Sequence, residues 1–186
     1  MMHIRSSALL LVLCAALAPA QVPSEITAPC STLVCDVQTD WLRNNGMVAL
    51  TASVMPEEKY GAKPTPEQQT FGERVLHVAE VNVLLMSSLG AKTPAPELNF
   101  KATKKAEILA VLRSAGEYGT AVLKEFKEAQ LLERIKSPAI MVPFMGPEQS
   151  RLRIVYFAMQ HTQDTYGQLV VYLRVSGLVP PLSRQP

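Results

Sequence analysis

Four stretches of the chain set apolar residues at three- and four-residue intervals, and each predicts a helix. The first runs from a cap at Asp36 or Thr39 to about Met55, with Trp41, Met47, Val48, Leu50 and Val54 on its apolar side. The second opens at Thr65-Pro66-Glu67 or at Thr70, continues through FGERVLHVAEVNVLLMSSL (residues 71–89) and stops at Gly90. The third begins at or just before Thr103. There Ile108, Leu109, Val111, Leu112, Ala115, Val122, Leu123 and Phe126 form one face, and Lys104, Lys105, Glu107, Arg113, Lys124, Lys127 and Glu128 the other. The fourth spans about Gln149 to Val175 and ends at Gly177, with Pro180 and Pro181 beyond the stop.

The intervening stretches punctuate the pattern. MPEEKYGAKPTPEQQT (residues 55–70) and KSPAIMVPFMGPEQ (residues 136–149) carry three prolines each, and residues 92–100 carry two, so all three are connectors. No stretch alternates strongly enough to predict a strand. Four long helices with proline-rich connectors predict an all-α fold, an antiparallel four-helix bundle over residues 36–181. Residues 21–35, rich in Pro, Ser and Thr, are expected to be irregular.

The first 20 residues change the picture of where the protein works. MMHIRSSALLLVLCAALAPAQ places Arg5 before an apolar run from Ala8 to Leu17 and a small-residue site at Ala18-Pro19-Ala20. That layout predicts a secretory signal peptide over residues 1–20 and export to the periplasm or beyond. The run falls short of the roughly 20 apolar residues that span a bilayer, so no stable membrane span is expected after cleavage. A lipoprotein reading through Cys14 is disfavoured by the bulky Leu13 before it. Cleavage removes one of 18 basic residues and none of 16 acidic ones, leaving 17 − 16 = +1. The remaining basic residues are scattered, which excludes nucleic acid as a partner, since phosphate binding needs a basic stripe or patch.

Cleavage also removes Cys14 and leaves Cys30 and Cys35 in CSTLVC. In an oxidising compartment these two are expected to form a disulfide at the entry to the first helix. A single C-x4-C pair is poor zinc evidence, because a structural zinc site takes about four ligands.

Two histidines remain for chemistry, His77 in the second helix and His161 in the fourth. At about 100° per residue, Ile154, Thr165, Gln168 and Tyr172 fall within about 40° of His161 on the helical wheel. A face mixing apolar and polar side chains must satisfy its polar groups, because a buried one left unpaired costs about 1–3 kcal/mol. Spacing alone leaves His161 as readily a hydrogen-bonded core residue as a ligand. There is no G-x-S-x-G elbow and no phosphate-binding glycine loop. Tyr166 and Tyr172 are expected to pack with a polar tip rather than to act as acid or base.

The stretches TFGERVLHVAE (residues 70–80) and HTQDTYGQLVVYLRVSGLVPP (residues 161–181) resemble the two signature helices of the DinB/YfiT-like superfamily. MPEEKYGAKPTPEQQTFGE (residues 55–73) is similar to that family's loop into its second helix. The resemblance implies a four-helix bundle, often a homodimer, whose interior commonly holds nickel or zinc on three histidines. One comes from the second helix, and two come from the fourth, four residues apart. Carried onto this chain, the ligands are His77 and His161, and the third position falls on Thr165. There the pattern breaks, because a neutral hydroxyl is a poor ligand for a borderline divalent ion. Glu80, one turn from His77, and Asp164 or Gln168, beside or near one turn from His161, are the candidate substitutes.

Two functions follow as expectations. In one, the protein is an exported DinB-like bundle with a degenerate divalent-metal site, akin to metal-dependent hydrolases or transferases in which the metal activates a small thiol. In the other, it is a non-catalytic module outside the cytoplasm, holding a small molecule or nothing, with AIMVPFMGP (residues 139–147) as a lid.

Overall fold

Thr70 and Glu73 begin the helix that carries His77. The Glu73 amide donates to Thr70 Oγ1 at 3.2 Å, and Glu73 Oε2 accepts the Thr70 amide at 2.7 Å. This reciprocal capping box satisfies two amides that the first turn would otherwise leave open. The computed structural model describes residues 29–184; the expected signal peptide, residues 1–20, lies outside them. The helices are α1 (Leu33–Val54), α2 (Phe71–Ser87), α3 (Lys105–Lys124), α4 (Glu128–Leu132), α5 (Val142–Met145) and α6 (Arg151–Val175). No described helix is long and apolar enough to cross a membrane.

The four long helices, α1, α2, α3 and α6, form the bundle, with seams α1–α3, α3–α2, α2–α6 and α6–α1. The contacts along each seam fix its direction. Phe71 meets Tyr172 edge-to-face at one end of the α2–α6 seam, and Arg151 Nε donates to the Leu89 carbonyl at the other, so these two are antiparallel. Gln38 donates to the Leu123 carbonyl and Lys105 Nζ to the Met55 carbonyl, which makes α1 and α3 antiparallel too. By contrast, Gly72 lies against Ile108 near the start of α2 and α3, and Ser87 meets Tyr118 at 3.1 Å further along both. Asn44 likewise meets Gln163 midway along α1 and α6, and Lys59, just past α1, donates to the Ser176 carbonyl just past α6. The bundle is therefore antiparallel across two seams and parallel across the other two. Consecutive helices α1 and α2 face each other on a diagonal, which the connector from Met55 to Thr70 makes possible. Its Tyr60 is buried and donates to the Ala52 carbonyl at 2.9 Å.

Three sequence expectations need correction. Helix α1 starts at Leu33, capped by Thr32, whose Oγ1 accepts the Cys35 amide at 3.2 Å. Asp36 lies inside its first turn, where a carboxylate complements the helix dipole, and the last residues of the segment expected to be irregular are helical. Second, Arg134–Lys136 (β1) and Glu148–Ser150 (β2) pair as a short antiparallel ribbon. They are too short to show alternation. Third, the longest connector is not a plain loop: α4, the ribbon and α5 fold it over one end of the bundle. There Met141 is fully buried, while Phe144 is 76% exposed. Cys30 and Cys35 are joined as a disulfide beside the first turn of α1.

The centre of the bundle is not wholly apolar. Asn45 Nδ2 donates to the Trp41 carbonyl at 2.9 Å, and Asn45 Oδ1 accepts from Asn82 Nδ2 at 3.1 Å. Thr162 Oγ1 sits 3.2 Å from Asn82 Oδ1 and 2.9 Å from the Ala158 carbonyl, with one proton to share between them. This chain ties α1, α2 and α6 together beside the two histidines, with Thr162 adjoining His161 and Asn82 between one and two turns from His77.

Candidate functional site

His77 projects from α2 and His161 from α6, and their Nε2 atoms stand 3.1 Å apart. The rings are 4.9 Å apart and inclined at 72°, so they meet at their tips. Two charged imidazoles would repel at this distance. Burial holds His77 below the ordinary histidine range, with the positive charge of Arg74 acting in the same sense and Glu80 opposing. Burial likewise holds His161 down, aided by His77 and Arg74 and opposed by Asp164. Neutral rings suit both a mutual hydrogen bond and metal ligation, since each needs a free ring lone pair.

Thr165 stands one turn beyond His161 and is 1% exposed, and its hydroxyl has no hydrogen-bond partner. It occupies the position that the resemblance assigns to a third ligand, and it is enclosed rather than open to water. The substitutes do not assemble: among the described residues no three His, Cys, Asp or Glu side chains group as metal ligands do. Glu80 is exposed on α2. Asp164 is exposed on α6 and accepts from Gln168 Nε2 at 2.7 Å, so this pair staples one helix face instead of joining two helices.

A divalent first-row ion would therefore find two donors of the right kind. Metal–nitrogen bonds of about 2.0–2.1 Å let both nitrogens reach one ion from their 3.1 Å separation. The third position does not fit, because a neutral hydroxyl coordinates such ions poorly.

Sequence reasoning passed over Arg74. It lies one turn before His77 in FGERVLH, on the same side of α2, and its Nε is buried without a partner. The i, i+3 spacing was the available signal; the first-turn position of Arg74 disguised it as an ordinary surface charge. His161 Nδ1 is also buried without a partner. Two open surface depressions lie away from the histidines. One is lined by Lys92, Thr93 and Glu125, the other by Asp40, Asn44, Tyr156 and Gln163 between α1 and α6.

Comparison with known proteins agrees with this architecture. The chain is similar in fold to a DinB-like protein from Bacillus cereus ATCC 10987, with a TM-score of 0.66 and 19% identity over 78% of this chain and 93% of that one. A DinB-like protein from Bacillus subtilis is similar to the same degree, with a TM-score of 0.63 and 21% identity over 81% of this chain and 98% of that one. No curated protein matches the chain. The family model of the DinB superfamily matches residues 40–169, from the second turn of α1 to within two turns of the end of α6. With the bundle, its seams and the meeting of the second and last long helices all in place, the chain belongs to the DinB superfamily.

Proposed function

We propose that this protein is an exported DinB-like bundle whose His77–His161 pair is the remaining part of a divalent-metal site, one that takes nickel or zinc weakly. The observation that carries this reading is the 3.1 Å approach of the two Nε2 atoms from helices 84 residues apart in sequence. When bound, the ion would act as a Lewis acid and lower the pKa of a coordinated water or thiol. The chain's own part is to hold two neutral imidazoles tip to tip. Burial and the Arg74 charge favour their neutral forms, and Thr165, buried one turn beyond His161, offers no good ligand. The disulfide between Cys30 and Cys35 supports the exported location, since such bonds persist in oxidising compartments. A homodimer belongs to the same reading, and exposed Val171 and Val175 on the last turns of α6 offer it an apolar face.

A second reading has its own support. The separation of 3.1 Å is also a hydrogen-bond distance, so the pair satisfies itself without an ion. The protein would then be a metal-free binding module. Nickel and zinc titrations of the untagged protein, its His161→Ala variant and its Thr165→His variant separate the two. Weak binding that disappears in His161→Ala and tightens at least about 10- to 100-fold in Thr165→His supports the remaining metal site. An unaltered protein that binds neither ion, beside a Thr165→His variant that does, supports the second.

A further inference from the structure

We propose that Arg74 makes the α2–α6 seam a receptor for a small oxyanion, a carboxylate or phosphate group, held beside the His77–His161 pair. The inference deepens the proposed function by naming a ligand class for the same seam. It rests on that site's geometry but does not require a metal.

Three polar atoms along this seam are buried without hydrogen-bond partners: Arg74 Nε, His161 Nδ1 and Thr165 Oγ1. Such groups are scarce in folded proteins, and each calls for an explanation. Arg74 is the most informative of them. Its guanidinium acts on both imidazoles, yet it has no ion pair. The described salt bridges are Arg134–Glu148 and Arg151–Glu133. The acids nearest the histidines along α2 and α6 are Glu80 and Asp164; both are exposed, and neither reaches ion-pair distance of Arg74. Glu73, its neighbour in sequence, is occupied by the Thr70 cap. Arg74 is only partly buried, so a solute can approach its outer face.

A guanidinium presents five N–H donors in a flat fork that matches two oxygens of a carboxylate or phosphate. A charge-assisted pair of this kind is about twice as strong as a neutral hydrogen bond. A halide offers a single atom where the fork matches two separate oxygens. Arg74 is thus suited to a planar or tetrahedral oxyanion approaching its partly exposed outer face.

The test follows the Arg74 Nε–H and His161 ring signals by NMR in the untagged protein, stripped of metal and then dialysed free of chelator. Acetate, inorganic phosphate and chloride are added at matched ionic strength. Saturable shifts are expected with acetate or phosphate and not with chloride, and the arm that responds identifies which oxyanion the fork prefers. Arg74→Gln is expected to weaken that binding about 10- to 100-fold. Arg74→Lys, which keeps the charge but loses the fork, falls between. Shifts that track ionic strength alike in all three titrations would overturn the proposal, as would an Arg74→Lys variant that titrates like the unaltered protein. Because the oxyanion titrations are run without metal, a protein that binds nickel in its own titration but no oxyanion defeats this inference alone. One that binds an oxyanion but no metal defeats only the metal reading.

Discussion

Trp41 of α1 packs its indole against Gly119 of α3. A Cβ added at residue 119 would fall 2.0 Å from Trp41 Cζ2 and 2.4 Å from Cε2. The indole is 1% exposed, and its Nε1 donates to the Gly116 carbonyl at 3.0 Å. It has no room to move aside. The close approach of α1 to α3 therefore depends on glycine at 119, and this sets how deeply the whole α1 side of the bundle sits.

Gly119→Ala is expected to lower stability by at least about 1–3 kcal/mol through overpacking. Gly116→Ala serves as its control, because a Cβ there meets Asn45 at an ordinary 3.6 Å. That change should gain up to about 1 kcal/mol from helix propensity. Urea midpoints of the two variants check the contrast, and equal effects would show that Trp41 adapts.

Thr165→Val removes a buried hydroxyl that has no partner, so it should leave stability unchanged or raise it by about 1 kcal/mol. Thr162→Val sits one turn earlier but breaks contacts to Asn82 and the Ala158 carbonyl. It should cost about 1–3 kcal/mol, because Asn82 is left partly unpaired at 1% exposure. Thermal melts of the pair are the measurement. A Thr165→Val variant less stable than Thr162→Val would mean that the hydroxyl at 165 is engaged after all.

The two histidines also set a pH dependence. Both imidazoles titrate below their ordinary range in the folded protein, so between the folded and unfolded values the unfolded chain binds more protons. Stability then rises with pH in that window. The contribution is complete above the unfolded histidine value of about 6.5 and is lost as pH falls from there through the depressed folded values. His161→Gln should flatten the dependence below the unfolded value of about 6.5. Urea unfolding at a series of pH values measures this, and an unchanged slope in the variant would assign the dependence to other groups.

Reducing the Cys30–Cys35 bond should cost no more than about 2 kcal/mol, the chain-entropy value for so short a loop. The loss is expected to be local. Amide exchange should accelerate in the first turn of α1, where Thr32 caps the helix, and remain unchanged at His77 and His161. Faster exchange along α2 or α6 would show that the flank stabilises more of the bundle than its own entry.

Periodicity placed α2, α3 and α6 to within a few residues because their signals are local: the Thr70–Glu73 box, the apolar face from Ile108 to Leu123, and the glycine stop at 177, whose φ of +77° suits glycine alone. The start of α1 was hidden by competing caps, since Thr32, Asp36 and Thr39 all suit the role by residue type. Helix direction was equally hidden, because parallel and antiparallel seams demand the same apolar stripe. At the site, the spacing of His77 and His161 carried no information about their meeting; the family resemblance did. Glu80 and Asp164 looked eligible because they neighbour the histidines along the helix, but both side chains point to solvent. Arg74 stayed unseen because nothing local distinguishes an unpaired arginine from a solvated one.

The diagonal placement of α1 and α2 has a consequence for how the chain is assembled. A hairpin of consecutive helices normally closes early, over a short loop. Here no α1–α2 seam exists for such a hairpin to keep, and α6, which completes two of the four seams, is the last long helix to leave the ribosome. His77 has no counterpart until it docks. Until α6 is made, the chain therefore carries an unmatched imidazole and an uncovered apolar face, and the meeting of His77 with His161 marks the closing of the last two seams of the bundle.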